Sequence, residues 1–444
     1  MKSSSLTRRS FLKTASLALP LSTALSITIA AAPQAAAPVA SRRNAYFDKG
    51  TRLAISMWDF SWLFANCPGG AYEDLERRVA EAAERGYNTL RVDCFPGHFL
   101  ENESRFEKNW DPAVNAPQWG ERPVTITCNV RRKVSELADA CRKHRIWLGL
   151  DSWDSLSLFG NVNSDFVIQE ADEEREFTRY GEVWVKALKL MREDGVLERA
   201  VWIAPMNEVP NFAGGRVAAV RKTKNPAEVN AIYRRINGWM AAPIRAEVAS
   251  EKIPISYSSN GDPNYGARLT DDYDVVDLHF MPGVIYDEQD QKAFPGVPFY
   301  ITRFPGGNVG ALPGQTLKPG PQNFDFALFS KAWDSACRRH YAAMLKRTRN
   351  FFESALTRLT LPSGKKLAPI ITECFGPIIW PDNPAVNWDW YKQYNADSLR
   401  IVAAMDYKGS SLSNFGEPLF SLWEDADWHL AGNTYFLTAR TWTL

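Results

Sequence analysis

The sequence of 444 residues lacks the motifs that mark metal, nucleotide and redox enzymes. Six cysteines are scattered along the chain without any C-x-x-C pair, which disfavours a zinc or iron–sulfur site. No glycine-rich phosphate loop follows the first predicted strand, and no haem or molybdenum motif is present. We therefore predict no metal and no other cofactor. Disulfide bonds and free buried thiols both stay open for the cysteines, for example for Cys67 and Cys94.

A strong charge imbalance is also lacking. The formal net charge is +1, and it becomes −3 without the four basic residues found among the first 40. A protein that binds nucleic acid or an anionic membrane surface normally carries a clear basic excess. We therefore expect no nucleic acid partner.

The N-terminal residues resemble a twin-arginine export signal. The run Thr-Arg-Arg-Ser-Phe-Leu-Lys at 7–13 precedes an apolar stretch, 15–32, and an Ala/Pro-rich segment that ends near residue 40. The pattern implies a signal peptide over residues 1–40, the twin-arginine export machinery as a partner, and a periplasmic or secreted mature protein. The alternative is an uncleaved membrane anchor, since roughly 18–20 apolar residues span a bilayer. The small residues and Pro33 weaken that alternative, so we expect no stable membrane insertion after cleavage.

Residues 41–444 are predicted to form a single domain. Roughly 400 residues suffice for one large barrel or for two ordinary domains, and no linker favours two. Strands alternate with amphipathic helices, which is typical of a parallel α/β fold. The predicted strands are 53–57, 89–92, 146–150, 200–205, 253–257, 275–278, 368–372 and 409–413. The predicted helices are 72–85, 130–144, 177–193, 231–242 with an interruption at Pro243, 332–356 and 396–405.

This alternation predicts a (β/α)8 TIM barrel, in which catalytic residues follow the carboxyl ends of the strands. A doubly wound sheet is disfavoured because no phosphate loop follows the first strand. Two long loops are expected at the mouth of the barrel, 95–127 after strand two and 282–321 after strand six. Loops of such length in a compact domain usually serve function.

Two glutamates stand where apolar strands end. Glu208 closes the run Trp-Ile-Ala-Pro-Met-Asn-Glu, and Glu373 closes the run Pro-Ile-Ile-Thr-Glu. Strands four and seven of an eight-stranded barrel lie nearly opposite each other across its mouth. Hydrolysis of a glycosidic bond requires one carboxylic acid and one carboxylate, which retaining enzymes hold about 5–5.5 Å apart. The alternative for each glutamate is a helix N-terminal charge or a solvated loop residue.

With these motifs the chain resembles the clan A barrel glycoside hydrolases, in particular the cellulase-like glycoside hydrolase family 5, over essentially the whole of residues 41–444. The resemblance implies Glu208 as acid/base, Glu373 as nucleophile and Asn207 as a ligand of the sugar 2-hydroxyl. It also implies that Arg91 steadies the nucleophile and that His279 lies near the same subsite. The structural alternatives are a salt-bridge partner for Arg91 and a packed, hydrogen-bonded histidine at 279.

Aromatic side chains supply most of the remaining candidates for sugar binding. The chain contains 16 Trp, and 12% of its residues are aromatic, which is more than a core of this size needs. Flat aromatic faces bind the apolar faces of sugar rings, although packing between barrel and helices is the alternative. The further substrate-binding candidates are Asp151, which ends strand three, and the aromatic residues Trp58, Trp153, Trp380, Trp423 and Trp428.

The chain departs from the family pattern at three places. Val209 separates Glu208 from the usual proline, the histidine expected near strand three is absent from 151–153, and Met281 stands where a tyrosine is common. These changes affect substrate contacts rather than the two carboxylates and indicate a divergent member. We therefore predict an exported retaining glycoside hydrolase for a β-linked glucan, mannan or derived oligosaccharide. The alternative is a cellulase-like sugar-binding protein without turnover.

Overall fold

Eight parallel strands form the central sheet of the computed structural model. They are β1 Leu53–Asp59, β2 Thr89–Asp93, β3 Trp147–Asp151, β4 Ala200–Ile203, β5 Ser256–Ser259, β6 Val275–His279, β7 Ala368–Glu373 and β8 Gly409–Ser411. Their order is β4-β3-β2-β1-β8-β7-β6-β5, and an isolated parallel bridge between Ile203 and Ile255 links the two outer strands. The sheet is therefore a nearly closed barrel, as the alternation of elements predicts.

The structure describes residues 51–108, 124–153, 166–281, 284–297, 303–304, 307–308, 325–376, 382 and 384–440. All of them belong to one unit that spans Val39–Leu444. The predicted signal peptide over residues 1–40 lies outside the described residues and stays a prediction. None of the helices in the described ranges combines the length and the apolar character needed to cross a bilayer.

Seven long helices in the described part of the chain accompany the strands. They are α1 Leu75–Glu84, α2 Val130–His144, α3 Glu173–Glu193, α4 Pro226–Glu247, α5 Phe326–Leu356, α6 Asp389–Ala403 and α7 Ala426–Thr438. The helix α2 has the predicted bounds because Asn129 caps its first turn through the main-chain N–H of Arg132. The shorter helical segments are Ser61–Phe64, His98–Leu100, Glu170–Asp172, Val196–Glu198, Val209–Arg216, Ala218–Lys222, Tyr265–Arg268, Glu288–Ala293 and Ser421–Glu424. Sequence periodicity missed α7.

The predicted interruption at Pro243 is wrong, because α4 continues through this residue to Glu247. A proline inside a helix removes one hydrogen bond and costs about 3 kcal/mol. Met240, Ala241 and Ile244 are all buried around it, and this packing offsets the cost.

The insertions after β2 and β6 carry small sheets of their own. An antiparallel hairpin pairs Ser104–Lys108 with Val124–Cys128. The second insertion contains the strands Arg303–Phe304 and Gly307–Asn308. Much of both insertions lies outside the described residues.

A small apolar cluster fills the barrel interior below the mouth. Its members are Leu53, Ile55, Trp147, Val201, Trp202, Ala204, Val275 and Ile370. Trp202 is fully buried, and a Cβ placed on Gly149 of β3 would lie 1.9 Å from its ring. Only glycine therefore fits at this point of β3. The packed interior leaves the chemistry to the carboxyl ends of the strands.

All six cysteines are free thiols in the structure, and Cys94, Cys141, Cys337 and Cys374 are buried. The disulfide between Cys67 and Cys94 that the sequence left open is not formed. Burial raises the pKa of the Cys141 thiol above its usual range. Cys141 is therefore a small apolar core residue.

Candidate active site

Strands β4 and β7 bring the two predicted carboxylates together. Glu373 is the last residue of β7, and Glu208 lies five residues beyond the end of β4. One oxygen of Glu208, one oxygen of Glu373 and a ring nitrogen of His279 all lie within 4.8 Å of one another. Glu373 is buried, whereas the side chain of Glu208 is 20% exposed. The pair therefore has one interior and one accessible carboxylate.

The main chain at Glu208 is strained. Its φ of 45° lies in the left-handed region, which costs a residue other than glycine on the order of 1 kcal/mol or more. The main-chain N–H of Glu208 donates to Oγ of Ser258 over 2.9 Å, and Asn211 donates from its side-chain amide to Oε2. These bonds hold the side chain of Glu208 toward His279.

Arg91 of β2 connects most of the polar residues at the mouth. Its Nε lies 2.7 Å from Oδ2 of Asp151, and its Nη1 lies 2.7 Å from Oε1 of Glu373. Its Nη2 donates to Oδ1 of Asn207 over 2.5 Å. Burial lowers the pKa of Arg91, but Asp151, Asp277 and Glu373 together raise it above its usual value. Arg91 is therefore a permanent buried cation that steadies Glu373 and orients Asn207.

His279 of β6 is the second cation of the site. Its Nδ1 lies 2.9 Å from Oε1 of Glu208 and 3.4 Å from Oε1 of Glu373, and its Nε2 lies 3.3 Å from Oδ2 of Asp277. Burial lowers the pKa of His279, but the charges of Glu373 and Asp277 outweigh it and raise the pKa to about 10. The imidazole is therefore protonated at neutral pH and links the two candidate catalytic glutamates.

The four acids of the site, Asp151, Glu208, Asp277 and Glu373, respond differently to the two cations. Burial raises the pKa of Asp151 to about 6 in spite of Arg91. For Asp277, His279 and Arg91 outweigh burial, so its pKa is lowered. Burial raises the pKa of Glu373, while the charge and hydrogen bond of His279 outweigh burial at Glu208 and lower its pKa. The resting site therefore holds its exchangeable proton on His279, beside an ionised Glu208.

Asn207 has a fixed orientation. Its Oδ1 accepts one hydrogen bond from Arg91 and another from Oγ of Ser258, the latter over 2.9 Å. Because the oxygen is held by these two donors, the NH₂ group is directed away from them and can donate to a ligand.

Three further residues of the site were not predicted. Asp277 and Thr372 are fully buried and hydrogen-bonded to each other over 2.6 Å, and Ser258 lies between Asn207 and His279. Alternation along a strand offered a signal for Asp277, because a residue two positions before His279 faces the same side. Ser258 and Thr372 carried no such signal, since small hydroxyl residues occur throughout strands.

Trp153, one of the predicted aromatic residues, lies beside Arg91 and the polar residues at the mouth of the barrel. Its ring centroid lies 4.2 Å from the guanidinium carbon of Arg91, and the ring of Phe60 meets it edge-on at 6.4 Å. Trp153 is half-buried, so part of its surface is available to a ligand.

Trp58 and Trp423 are not sugar platforms, because both side chains are fully buried. Trp58 packs edge-on against Tyr72 outside the barrel wall. Trp423 stacks on Tyr87, which precedes β2 and so lies toward the amino end of the barrel.

Trp428 also contacts helices, since its indole N–H donates to the carbonyl of Lys392 in α6 over 3.3 Å. Helix packing accounts for its position, and the predicted platform role is not supported. Trp380 lies outside the described residues and stays a prediction.

Two groups in the described part of the chain have donor atoms spaced like metal ligands. Glu208, His279 and Glu373 form the first, but Arg91 and the protonated imidazole already neutralise its carboxylates. Asp287, Asp290 and His340 form the second, where Arg339 contacts both aspartates. In each group a side-chain cation already contacts at least one of the carboxylates.

Comparison with known proteins assigns the chain to a family. The model of the sugar-binding cellulase-like family matches residues 55–435, so the chain belongs to this cellulase-like family. A comparison with curated proteins found no significant match.

Among solved structures, a candidate glycoside hydrolase from Parabacteroides distasonis ATCC 8503 is 21% identical with a TM-score of 0.64. That match covers 88% of this chain and 95% of the other. A glycoside hydrolase family 5 enzyme from Prevotella bryantii B14 is 9% identical with a TM-score of 0.46. That match covers 88% of this chain and 97% of the Prevotella chain. The first similarity shows a shared fold.

Proposed function

We propose that the protein is an exported retaining glycoside hydrolase that cleaves β-linked poly- or oligosaccharides of the glucan or mannan type. The observation that carries the proposal is the separation of the two carboxylates. One oxygen of Glu208 lies within 4.8 Å of one oxygen of Glu373. Retaining enzymes hold their carboxyl groups about 5–5.5 Å apart, whereas inverting enzymes need about 6.5–9.5 Å to admit a water molecule. The short separation therefore supports double displacement.

Glu373 is the nucleophile in this proposal. Its carboxylate attacks the anomeric carbon, the bond to the glycosidic oxygen breaks, and a glycosyl ester forms. The contact with Arg91 at 2.7 Å holds one oxygen in place. The buried position excludes water from the attacking group and strengthens its electrostatic contacts.

Glu208 is the acid and base. The leaving oxygen takes a proton from its carboxyl group, and in the second step the resulting carboxylate takes a proton from the water that opens the ester. The required proton is close by, because Nδ1 of the protonated His279 lies 2.9 Å from Oε1 of Glu208. A bound sugar covers the exposed side of Glu208, which raises its pKa and favours transfer of this proton from His279.

Two further residues contact the sugar in this proposal. Asn207 donates its NH₂ group to the 2-hydroxyl, whose hydrogen bonds strengthen in the transition state. Trp153 offers an aromatic face beside Arg91.

The catalytic proposal is tested by hydrolysis of β-glucans, mannans, xylans and aryl β-glycosides, with NMR identifying the first anomer released. We expect turnover with retained configuration, and its loss in Glu373→Gln. For Glu208→Ala we expect loss on polysaccharides but residual release of activated phenols, which need no proton from an acid. The matched control is Glu193→Gln, which changes a side chain that is 64% exposed at the end of α3.

Release of the inverted anomer would contradict the assignment of Glu373 as nucleophile. Absence of turnover on a glycan that the wild type binds would contradict the hydrolase proposal and identify a sugar-binding protein.

Export by the twin-arginine route is supported by the Arg8-Arg9 pair and the apolar stretch behind it. Replacement of both arginines by lysine keeps the charge and alters the motif. We expect the double variant to accumulate uncleaved inside the cell, while the wild type is recovered shortened from the periplasm or medium. Equal export of both would contradict this route.

A further inference from the structure

Glu417 is a fully buried carboxyl group in the chain segment that follows β8. Its Oε2 accepts hydrogen bonds from the hydroxyls of Ser61, over 2.8 Å, and of Tyr72. Both donors belong to the segment that follows β1. Because β1 and β8 are neighbours in the barrel, Glu417 joins the segments that leave the first and the last strand.

The same segment, which we call the 413–417 loop, also reaches the strand of the nucleophile. Oδ1 of Asn414 accepts a hydrogen bond of 2.6 Å from the main-chain N–H of Cys374, the residue directly after Glu373. Asn414 is itself buried. The loop therefore contacts the main chain beside Glu373 at one end and the segment after β1 at the other.

Between these two contacts the main chain of the loop is hydrogen-bonded and closely packed at Gly416. The carbonyl of Gly416 accepts a hydrogen bond of 2.7 Å from Oγ of Ser56 in β1. A Cβ at Gly416 would lie 2.7 Å from the hydroxyl of Tyr87, so the main chain is packed tightly against its surroundings. Residues 413–417 therefore form one closely packed segment, in which we expect a displacement at Glu417 to shift Asn414 as well.

We propose that Glu417 is a positioning residue, which holds the 413–417 loop so that Asn414 keeps the main chain beside Glu373 in the geometry needed for attack. It is not a catalytic residue, because its contacts are with Ser61 and Tyr72 and not with the reacting groups. The kinetic part of this proposal rests on the proposed hydrolase function, and the structural part does not.

Burial favours the neutral form of Glu417 in this role. Burial raises its pKa well above the usual value, and the charge of Asp59 acts in the same direction against the hydrogen bonds from Tyr72 and Ser61. A neutral group is far less costly to bury than a carboxylate without a cation. Glutamine has nearly the same shape, carries no charge and keeps a carbonyl acceptor for both hydroxyls.

The experiment compares Glu417→Ala and Glu417→Gln in the full mature chain by amide hydrogen exchange and by kinetics. In Glu417→Ala we expect the Cys374 amide to exchange about 10-fold faster, because its protection depends on Asn414. We also expect kcat to fall by about 10- to 100-fold with KM nearly unchanged, since a small misplacement of a reacting group is costly. In Glu417→Gln we expect both quantities to stay within about 2-fold of the wild type, because the acceptor is retained.

The matched control is Asn237→Ala, which removes a buried hydrogen bond of 3.1 Å between α4 and the carbonyl of Arg268. We expect it to lower the melting temperature without changing exchange at Cys374. Unchanged exchange at Cys374 in Glu417→Ala would overturn the proposal. Equal losses of kcat and of protection at Cys374 in Glu417→Gln and Glu417→Ala would overturn it too. If the wild type hydrolyses no glycan, the hydrolase proposal fails, and the exchange data still decide the role of Glu417.

Discussion

Nη1 of Arg91 lies 2.7 Å from Oε1 of Glu373, although 282 positions separate the two residues in the chain. Both side chains are buried, and the same guanidinium also contacts Asp151 and Asn207. The contact therefore combines a structural role in the barrel with a role in orienting the nucleophile and the residue next to Glu208.

Replacement of Arg91 by lysine tests both roles. A lysine ammonium has no planar fork and cannot contact Asp151, Asn207 and Glu373 at once. We expect Arg91→Lys to lose about 3 kcal/mol of unfolding free energy, the usual cost of breaking a buried ion pair. We expect kcat/KM to fall by about 100-fold because the nucleophile is no longer held. Urea unfolding and steady-state kinetics measure the two effects.

The control for this prediction is Arg192→Lys, which alters a partly exposed contact of α3 with Glu247, the last residue of α4, and with Glu251 beyond it. Exposed ion pairs contribute less than about 1 kcal/mol, so we expect little change. Equal effects at Arg91 and Arg192 would be inconsistent with a special role of Arg91.

The pKa of His279 predicts how stability depends on pH. Folding raises this pKa from 6.5 to about 10, so the folded state binds the proton more tightly than the unfolded chain. The resulting stability is fully present below pH 6.5 and is lost as the pH rises through about 10. We expect His279→Gln to be less stable than the wild type near neutral pH, with a difference that shrinks toward pH 10. Urea unfolding between pH 6 and 10 measures this difference, and parallel curves for the two proteins would contradict the prediction.

Trp153 and Trp423 should respond differently to substitution. The half-buried ring of Trp153 lies beside the cluster, so we expect Trp153→Ala to raise KM by about 10-fold and Trp153→Phe to preserve most of the binding. Trp423→Phe removes a hydrogen bond of 3.0 Å that the indole donates to Glu81 of α1. We expect it to lower the melting temperature and leave KM unchanged. A KM effect at Trp423 alone would reverse our assignment of the two residues.

Gly149 tests the packing inside the barrel. A methyl group there would overlap the ring of Trp202, and overpacking of a core costs about 1–3 kcal/mol or more. We therefore expect Gly149→Ala to lower the melting temperature by several degrees. In Gly214→Ala the added Cβ meets no atom within 4 Å, and alanine favours the helical segment Val209–Arg216, so we expect unchanged or slightly higher stability. Thermal unfolding of both variants provides the measurement, and equal melting temperatures would contradict the proposed overlap.

Local sequence patterns were informative for elements that carry a complete signal within a few residues. The capped, periodic segment Val130–His144 was predicted with its exact bounds. The strands before Glu208 and Glu373 were recognised because apolar runs lead to a polar end. Local patterns failed at Pro243, where packing of neighbouring residues offsets the intrinsic cost of proline in a helix.

The tryptophans show a second limit of local patterns. Trp58 lies near the end of β1, and Trp153 and Trp423 follow strands in the chain. Composition alone could not separate a sugar platform from a packed residue. Trp58 and Trp423 are fully buried, whereas Trp153 lies beside Arg91. Which face of a residue is covered depends on elements that are distant in sequence.

The sequence by itself determined the order of the eight strands and of the first six long helices. It also determined the two positions, Glu208 and Glu373, where carboxylates follow apolar strands. These features are local, because periodicity and strand ends are properties of short segments. Only the tertiary structure decided that Arg91 and His279 stand between the acids, and that Glu417 is tied to Ser61 and Tyr72. The reason is physical: burial and the charges of groups far apart in the chain set protonation and hydrogen bonding, and both exist only when the barrel closes.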